Sequence, residues 1–171
     1  MPTIGVAVAI PEPHAGFLQE RRESFGDPLA HAIPPHVTLL PPTVVDVNDL
    51  AAFEEHLAKV AATHPSFDIA LESTGTFRPV SPVVFVRLTR GMAECEALES
   101  AIRTGPVVRE LDFDYHPHVT VAHQISEEEL DAAFVDLDDF AVTFHVPAFH
   151  LYHHGDDDVW RPVRGFDLQG E

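Results

Sequence analysis

The amino-acid sequence predicts an α+β fold built from a duplicated unit. Hydrophobic periods typical of strands alternate with periods typical of helices along the whole chain. The same order of elements occurs in the first half and again in the second half. The tetrapeptide Pro-His-Val-Thr also occurs twice, in corresponding strands, and its two copies start 82 residues apart. The repeated order and the repeated motif together indicate a duplication.

Five elements are expected in the first half of the chain. In order, they are a strand over 3–10, a helix between Pro13 and Gly26, a strand over 36–40, a helix over 49–63 and a strand over 67–71. The first helix has side chains at helical spacing, namely Phe17, Leu18, Arg21 and Phe25. Asn48 is the expected N-cap of the second helix. Pro41 and Pro42 are expected to end the second strand, and Gly75 to turn the chain after the third.

The second half is expected to repeat this order and to end in a hairpin. Its elements are a strand over 83–88, a helix over 92–102, a strand over 118–122, a helix that begins at a capping box of Ser126 and Glu129, a strand over 140–146, and hairpin strands over 149–153 and 159–168. We expect one domain over 1–171. It consists of two pseudo-symmetric lobes of about 1–78 and 79–171, between which strands can be exchanged.

The composition is that of an acidic globular protein. The formal net charge is −18, with only 10 lysines and arginines among 171 residues. Extended nucleic-acid platforms use many basic contacts to phosphates, so this class is excluded, whereas a pocket for one or two phosphates is not. No apolar run reaches the roughly 18 residues of a membrane span. The single cysteine, Cys95, is expected to be a buried apolar residue in a reducing compartment. We therefore expect a cytoplasmic monomer without membrane contact.

The repeated motif is specific because it is a repeated tetrapeptide. By composition, His-x-Thr is expected about 0.7 times by chance, whereas one Pro-His-Val-Thr is expected roughly 0.01 times. Side chains alternate along a strand, so His36 and Thr38 share one face, as do His118 and Thr120. The valine within each pair can enter the core. The four polar side chains are therefore expected to face each other across one cleft.

These residue types suit phosphodiester chemistry that needs neither a metal nor another cofactor. One histidine takes a proton from the attacking water or hydroxyl, and the other donates a proton to the leaving oxygen. With ordinary pKa values of about 6.5, one imidazole can be neutral while the other is charged near neutral pH. Threonine hydroxyls can donate to the non-bridging oxygens. We assign His36 and His118 to acid–base catalysis, and Thr38 and Thr120 to phosphate binding.

The chain resembles the 2H phosphoesterase superfamily in its two motifs, which read Pro35-His36-Val37-Thr38-Leu39 and Pro117-His118-Val119-Thr120-Val121. Within that superfamily it is similar to the 2′-5′ RNA ligase/cyclic phosphodiesterase family over nearly its whole length. The resemblance implies a bilobal α+β fold with antiparallel sheets around a central groove. It also implies hydrolysis of the 2′,3′-cyclic phosphate of nucleotides or RNA ends, a form of RNA end processing.

The resemblance leaves other activities open. A 2′-5′ RNA ligase, a 2′-5′ phosphodiesterase and a non-catalytic binder of phosphorylated nucleotides are the alternatives. Many ligase-type members have an arginine five residues after the second histidine, where this chain has His123. This difference argues against ligase activity in particular.

Five further residues are candidate substrate ligands: His116, His123, Phe77, Arg78 and Phe85. The aromatic rings can stack on a base. On a regular strand only His116 shares the face of His118, because it is two residues away, whereas His123 is five residues away and faces the opposite side. A metal site is the rival chemistry, and its candidate ligands are His116, His118 and His123, or His150, His153 and His154 with the aspartates that follow. No helical His-x-x-x-His and no cysteine cluster supports it.

Overall fold

The computed structural model describes residues 1–111 and 113–170, in which the chain forms eight strands and four helices. In order, they are β1 (Thr3–Ala9), α1 (His14–Ser24), β2 (His36–Val44), α2 (Val47–Thr63), β3 (Phe67–Thr76), β4 (Val83–Arg90), α3 (Met92–Arg103), β5 (His118–His123), α4 (Glu127–Asp136), β6 (Ala141–Val146), β7 (Ala148–His154) and β8 (Trp160–Asp167). The predicted order of elements is confirmed. Among the described residues, no helix combines the length and apolarity needed to cross a membrane.

The strands form two antiparallel sheets of four. The first sheet has the order β2-β1-β7-β8, and the second has the order β5-β4-β3-β6. This confirms the predicted α+β class with antiparallel sheets. The first sheet takes β7 and β8 from the end of the chain, and the second sheet takes β3 from its first half. The division of the chain into lobes near residue 78 stays a prediction.

The two motif strands occupy corresponding places. The order β1-α1-β2 of the first half recurs as β4-α3-β5 in the second, and β2 and β5 each form the edge of a sheet. Each motif strand is covered by a helix from the other half, because α3 packs against β2 and α1 packs against β5. β2 and β5 also contact each other. This crossed packing brings the two motifs together.

Both motif strands have a bulge directly after the threonine. In β5 the extra residue is Val121, which lies between two residues that pair with successive residues of β4. In β2 the extra residue is Leu39, which lies in the same place relative to β1. An extra residue moves every later side chain of the strand to the opposite face. Residues beyond Thr38 and Thr120 therefore depart from the simple alternation that the sequence predicts.

The prediction that Pro41 and Pro42 end the second strand is wrong. β2 continues through both prolines, and Thr43 pairs with Ile4 of β1. The prolines lie at a second irregularity of the pairing, where β2 has one residue more than β1. Because β2 is an edge strand, its outward N–H groups have no ladder partner, and proline is tolerated there.

The turn predicted at Gly75 is also absent from that position. Gly75 lies inside β3 and pairs with Phe85 of β4. A Cβ atom at this position would lie 2.7 Å from the ring of Phe85. Glycine therefore gives the ring its space, which is a common reason for glycine within a strand.

Two helices differ in detail from the prediction. Asp46, not Asn48, caps α2, and its carboxylate accepts a hydrogen bond of 2.8 Å from the N–H of Asn48. In α1, Leu18 and Arg22 are buried, whereas Arg21 forms a surface ion pair with α4. Ser126 is the N-cap of α4, as predicted, and its hydroxyl oxygen accepts a hydrogen bond of 3.1 Å from the N–H of Glu129, which is one of the two bonds of a capping box.

The core lies between the sheets and their covering helices. Its fully buried side chains include Leu18 of α1, Phe53 of α2, Ile102 of α3 and Phe149 of β7. Cys95 of α3 is also fully buried, as predicted, and burial raises the pKa of its thiol to about 12. The thiol is therefore a packing group in this fold.

Candidate active site

The two motif histidines are held in the same way. Nδ1 of His36 lies 2.9 Å from the carbonyl oxygen of Pro34, and Nδ1 of His118 lies 2.7 Å from that of His116. A carbonyl oxygen only accepts hydrogen bonds, so Nδ1 carries the proton in each ring. Nε2 of each neutral imidazole then has the free lone pair. Each ring can accept a proton at Nε2 and, once charged, can donate it.

Burial lowers the pKa of both histidines. The pKa of His36 falls to about 4, chiefly because burial disfavours the imidazolium; the bond to Pro34 raises it, and the charges of Arg22 and His118 lower it again. Burial also lowers the pKa of His118, and the charge of His116 adds to this effect. The free site therefore holds two neutral imidazoles near pH 7, instead of the neutral and charged pair that ordinary pKa values predict.

A cavity of about 530 Å³ lies beside the two motif strands. It brings together Thr38 from β2, His118 from β5, and the predicted ligands His116 and Phe77. Much of the remaining wall is apolar and comes from the connections before β4 and β5, including Val80, Leu111 and Phe113. The cavity thus joins polar groups suited to a phosphate with a wall suited to a base.

His36 and Thr120 are not among the residues that line this cavity. His36 lies two residues before Thr38 on β2, and Thr120 lies two residues after His118 on β5. All four side chains are half-buried, whereas the valine within each pair is fully buried. Each motif therefore presents its histidine and its threonine on one face, as alternation along a strand requires.

Aromatic rings surround His118. The ring of Phe77 meets it edge-on with 4.9 Å between the centroids, and the ring of Phe85 lies 5.2 Å away. Phe77 and Phe85 are 4.5 Å apart, and the ring of His116 lies 6.3 Å from that of His118. Phe85 is buried, whereas Phe77 lines the cavity. Phe77 is therefore placed to touch a ligand, and Phe85 to position Phe77 and His118.

His123 lies on the same face of β5 as His118, which differs from the expectation for a regular strand. The bulge at Val121 adds one residue to β5 between His118 and His123, which returns the side chain of His123 to the face of His118. His123 pairs with Val83 of β4. Its backbone N–H donates a hydrogen bond of 3.0 Å to the carboxylate of Asp27. Burial lowers the pKa of its ring. The sequence pattern could not reveal this, because the bulge depends on the pairing with β4.

A buried ion pair connects α1 to the motif strands. Nε of Arg22 lies 2.8 Å from Oδ2 of Asp27, and these side chains are only 8% and 0% exposed. The charge of Arg22 lowers the pKa of both His36 and His123, so the guanidinium lies near both motif strands. Sequence reasoning missed this pair because it counted Arg21, and not Arg22, among the side chains of the first helix at helical spacing. The buried positions of α1 are Ala15, Leu18 and Arg22, and their spacing of three and four residues was the signal in the sequence that could have indicated Arg22.

Two arginines differ in their relation to the cavity. Arg78, a predicted ligand, forms ion pairs of 3.1 Å with Glu127 and 2.8 Å with Asp131 of α4. Arg109, which was not predicted, lines the cavity, and its Nε is buried without a hydrogen-bond partner in the described part of the chain. A buried unpaired N–H costs free energy, so an acceptor on a bound ligand would stabilise this arrangement. The irregular segment before β5 offered no sequence pattern for it.

Tyr115 connects this segment to the first motif. Its hydroxyl donates a hydrogen bond of 2.7 Å to the carbonyl oxygen of Thr38, and burial raises its pKa. The phenol therefore stays a donor at any physiological pH. This bond fixes one wall of the cavity to β2.

The histidine clusters considered as metal sites do not converge. Among the described residues, no three histidine, cysteine, aspartate or glutamate side chains come together as a set that could hold an ion. His116 and His118 instead pack with phenylalanine rings, and His154 packs against Trp160 with 4.7 Å between the ring centroids.

Solved structures share this fold. LigT of E. coli, in a complex with 3′-AMP, matches with a TM-score of 0.68 at 18% identity, over 98% of this chain and 99% of LigT. TT0787 of Thermus thermophilus matches with a TM-score of 0.67 at 20% identity, over 100% of both chains. At these identities the likeness concerns the fold alone.

Sequence relatives and a family model identify the family. A Geobacillus kaustophilus protein, provisionally named a phosphoesterase, is 23% identical over 169 residues, which cover 98% of this chain and 96% of the relative. A Bacillus cytotoxicus protein with the same provisional name is 24% identical over 144 residues, or 83% of each chain. Residues 10–158 match the model of the 2′-5′ RNA ligase superfamily. The resemblance inferred from the two motifs is thus confirmed, and the chain belongs to the 2′-5′ RNA ligase superfamily of 2H phosphoesterases.

Proposed function

We propose that this protein hydrolyses the 2′,3′-cyclic phosphate of a nucleotide or an RNA end by metal-independent acid–base catalysis with His36 and His118. One observation carries the proposal. Both imidazoles are fixed through Nδ1 to a backbone carbonyl, so that each has a free Nε2, and they lie on two strands that contact each other. Structures of LigT with 3′-AMP, NADP⁺ and ATP support a nucleotide as the ligand class.

The proposed reaction uses Nε2 of both rings. One neutral histidine takes a proton from water as the water oxygen attacks phosphorus. The bond from phosphorus to the 3′-oxygen breaks, and the other histidine, in its charged form, donates its Nε2 proton to that oxygen. A 2′-phosphate results, and the two histidines have exchanged protonation states. The hydroxyls of Thr38 and Thr120 donate to the non-bridging oxygens.

The low pKa values of the histidines fit a step that begins with substrate binding. A cyclic phosphodiester brings a negative charge into the cleft, and this charge favours an imidazolium over a neutral ring. Binding therefore raises the pKa of the acid histidine, while its partner stays neutral. The buried charge of Arg22 opposes double protonation of the pair, because it lowers the pKa of His36.

The large cavity is the proposed place of the nucleoside. Phe77 offers a ring to one face of the base, and Arg109 offers a buried N–H that has no partner in the described part of the chain. Both residues share this cavity with Thr38 and His118. A base in the cavity would thus hold its own ribose phosphate beside the motif residues.

The first test is turnover of the four nucleoside 2′,3′-cyclic monophosphates in EDTA. We expect His36→Ala and His118→Ala each to lower kcat by on the order of a hundredfold or more, as loss of a general acid or base does. The matched control is His153→Ala, which removes an exposed histidine of β7. Its activity should equal that of the wild type.

Three outcomes would contradict the proposal. Turnover that persists in both motif variants would remove the histidines from the mechanism. Strong inhibition by EDTA would point to metal chemistry. A folded wild type that turns over none of the four substrates would exclude this activity on mononucleotides and favour a 2′-5′ linkage or a binding function.

A further inference from the structure

A second, smaller cavity also borders Thr38. Its volume is about 120 Å³, and it is formed by the first sheet and the segment before β2. Its lining includes His36, Thr38, Gly5, Ile33, Tyr152 and Trp160. Thr38 lines both this cavity and the larger one. The proposed phosphate position at Thr38 therefore borders two cavities.

Trp160 is held firmly at this cavity. Its backbone N–H donates a hydrogen bond of 2.8 Å to the carbonyl oxygen of Ala32, and it pairs with His154 across β7 and β8. The rings of Trp160 and His154 have centroids 4.7 Å apart. A Cβ atom on Gly5 would lie 3.4 Å from the indole, so the ring lies against the backbone of β1. The indole is thus preorganised as part of the wall.

The wall of this cavity suits a planar, uncharged group. Apart from His36, its lining consists of uncharged side chains, and Tyr152 and Trp160 supply aromatic rings. The nearest cation in sequence, Arg161, is engaged by Asp157 through hydrogen bonds of 3.0 and 2.6 Å. A second phosphate would find no free positive charge among these residues.

We propose that this cavity, the Trp160 subsite (Gly5, Ile33, Tyr152 and Trp160), binds the second nucleobase of a dinucleotide whose reacting phosphate lies at Thr38. The proposal rests on the proposed function and specifies its substrate class, which is a dinucleotide or longer chain in preference to a mononucleotide. The second base has two possible sources. It belongs either to the nucleotide that precedes a terminal phosphate or to the nucleoside on the other side of a linear phosphodiester.

Trp160 is the only tryptophan in the sequence, so its fluorescence reports directly on the subsite. The titrants are adenosine 2′-monophosphate, a diadenylate with a terminal 2′-phosphate, and a 2′-5′-linked diadenosine monophosphate measured by rapid mixing. We expect at least one dinucleotide to quench the emission saturably, at concentrations where the mononucleotide leaves it unchanged. The dinucleotide that binds more tightly identifies the source of the second base.

Substitution of Trp160 tests the same point by kinetics. The preference for a dinucleotide is the ratio of its kcat/KM to the kcat/KM of a mononucleotide. Because stacking of a base on an aromatic ring contributes about 1–3 kcal/mol, Trp160→Ala should lower this ratio about tenfold or more. Trp160→Phe keeps a ring and should keep most of the ratio. The control, Arg161→Ala, changes an exposed neighbour and should leave the ratio unchanged.

The results separate this inference from the proposed function. Equal quenching by mononucleotide and dinucleotide, or no saturable quenching by either dinucleotide, overturns the subsite. An equal fall of both kcat/KM values in Trp160→Ala also overturns it. Quenching by a dinucleotide in a protein that turns over no cyclic phosphate would support the subsite and refute the proposed function alone.

Discussion

The carbonyl that holds each motif histidine belongs to the residue before the motif's proline. Proline restricts the residue before it to extended backbone, so Pro35 and Pro117 help to orient the accepting carbonyls. Each proline thus supports the site through the backbone that precedes it. At this scale the sequence was informative, because the paired motif predicts the histidines, the threonines and their shared faces. It could not predict Arg109, whose place depends on how an irregular segment folds back over β2.

The lowered pKa values predict the pH dependence of activity. Because the pKa values of His36 and His118 in the free protein lie below 6.5, kcat/KM should follow a bell-shaped curve with its maximum below pH 6.5. Initial rates on a cyclic mononucleotide between pH 4 and 9 measure this curve. A flat profile between pH 5 and 8, or a maximum above pH 7.5, would contradict the two-histidine mechanism.

Arg109 should act on binding more than on chemistry. Arg109→Ala removes a guanidinium group from the cavity wall, so KM for a nucleotide should rise about tenfold while kcat changes little. Arg90→Ala is the matched control, because Arg90 is exposed and forms an ion pair of 3.5 Å with Asp68. An unchanged KM would show that ligands do not use the cavity wall at Arg109.

Among the elements, the motif strands differ most from what their sequences predict. Alternation is correct as far as Thr38 and Thr120, and it fails beyond them because each strand has a bulge whose position is set by its partner strand. The same dependence on pairing explains why β2 passes through two prolines and β3 through Gly75. The local sequence shows the hydrophobic period of each element and the residues that cap a helix. The register of a strand, and whether it lies at the edge of a sheet, are set only when the sheet assembles.

Gly75 should be intolerant of any side chain. Gly75→Ala places a Cβ atom 2.7 Å from the Phe85 ring and should lower the free energy of unfolding by about 1–3 kcal/mol. The double variant Gly75→Ala/Phe85→Leu, with a smaller side chain at the contact, should recover part of this loss. Urea denaturation of both variants measures the effect.

Gly16→Ala is the control for this prediction. Gly16 lies in α1, where a Cβ atom would meet the flexible carboxylate of Glu12. Alanine has the higher helix propensity, so this change should be neutral or stabilising. If Gly75→Ala were as stable as the wild type, the close packing of β3 on Phe85 would not limit the residue at this position.

The whole molecule combines a net charge of −18 with neutral imidazoles on both motif strands and a buried arginine near His36. The sequence predicted the order of elements and their repetition, because both follow from periodicity. It could not predict that α1 and α3 each cover the motif strand of the other half, or that β7 and β8 complete the first sheet. These arrangements depend on contacts between distant parts of the chain.

Acid should weaken the whole fold through His36. The unfolded chain takes up a proton at His36 near pH 6.5, whereas the folded chain does so only near pH 4. The neutral ring of His36 therefore makes its full contribution to the free energy of unfolding above pH 6.5. This contribution declines by about 1–3 kcal/mol as the pH falls toward 4. Urea denaturation at pH 7 and pH 5 should show a smaller decline for His36→Gln than for the wild type. An equal decline in both would contradict this. The comparison removes the effect of the net charge, which both proteins share.

The crossed packing of the two halves has a consequence for the direction of catalysis. Exchanging the halves replaces His36 by His118 and Thr38 by Thr120, with the same tautomer and the same bulge on either side. In tautomer and strand geometry the two motifs are therefore alike, although the charge of Arg22 acts on His36. The cavity walls differ more, with Phe77 and Arg109 in the larger cavity and Trp160 in the smaller one. If the proposed function is correct, we expect these walls to set the regiochemistry, and exchanging them while both histidines stay in place should reverse it.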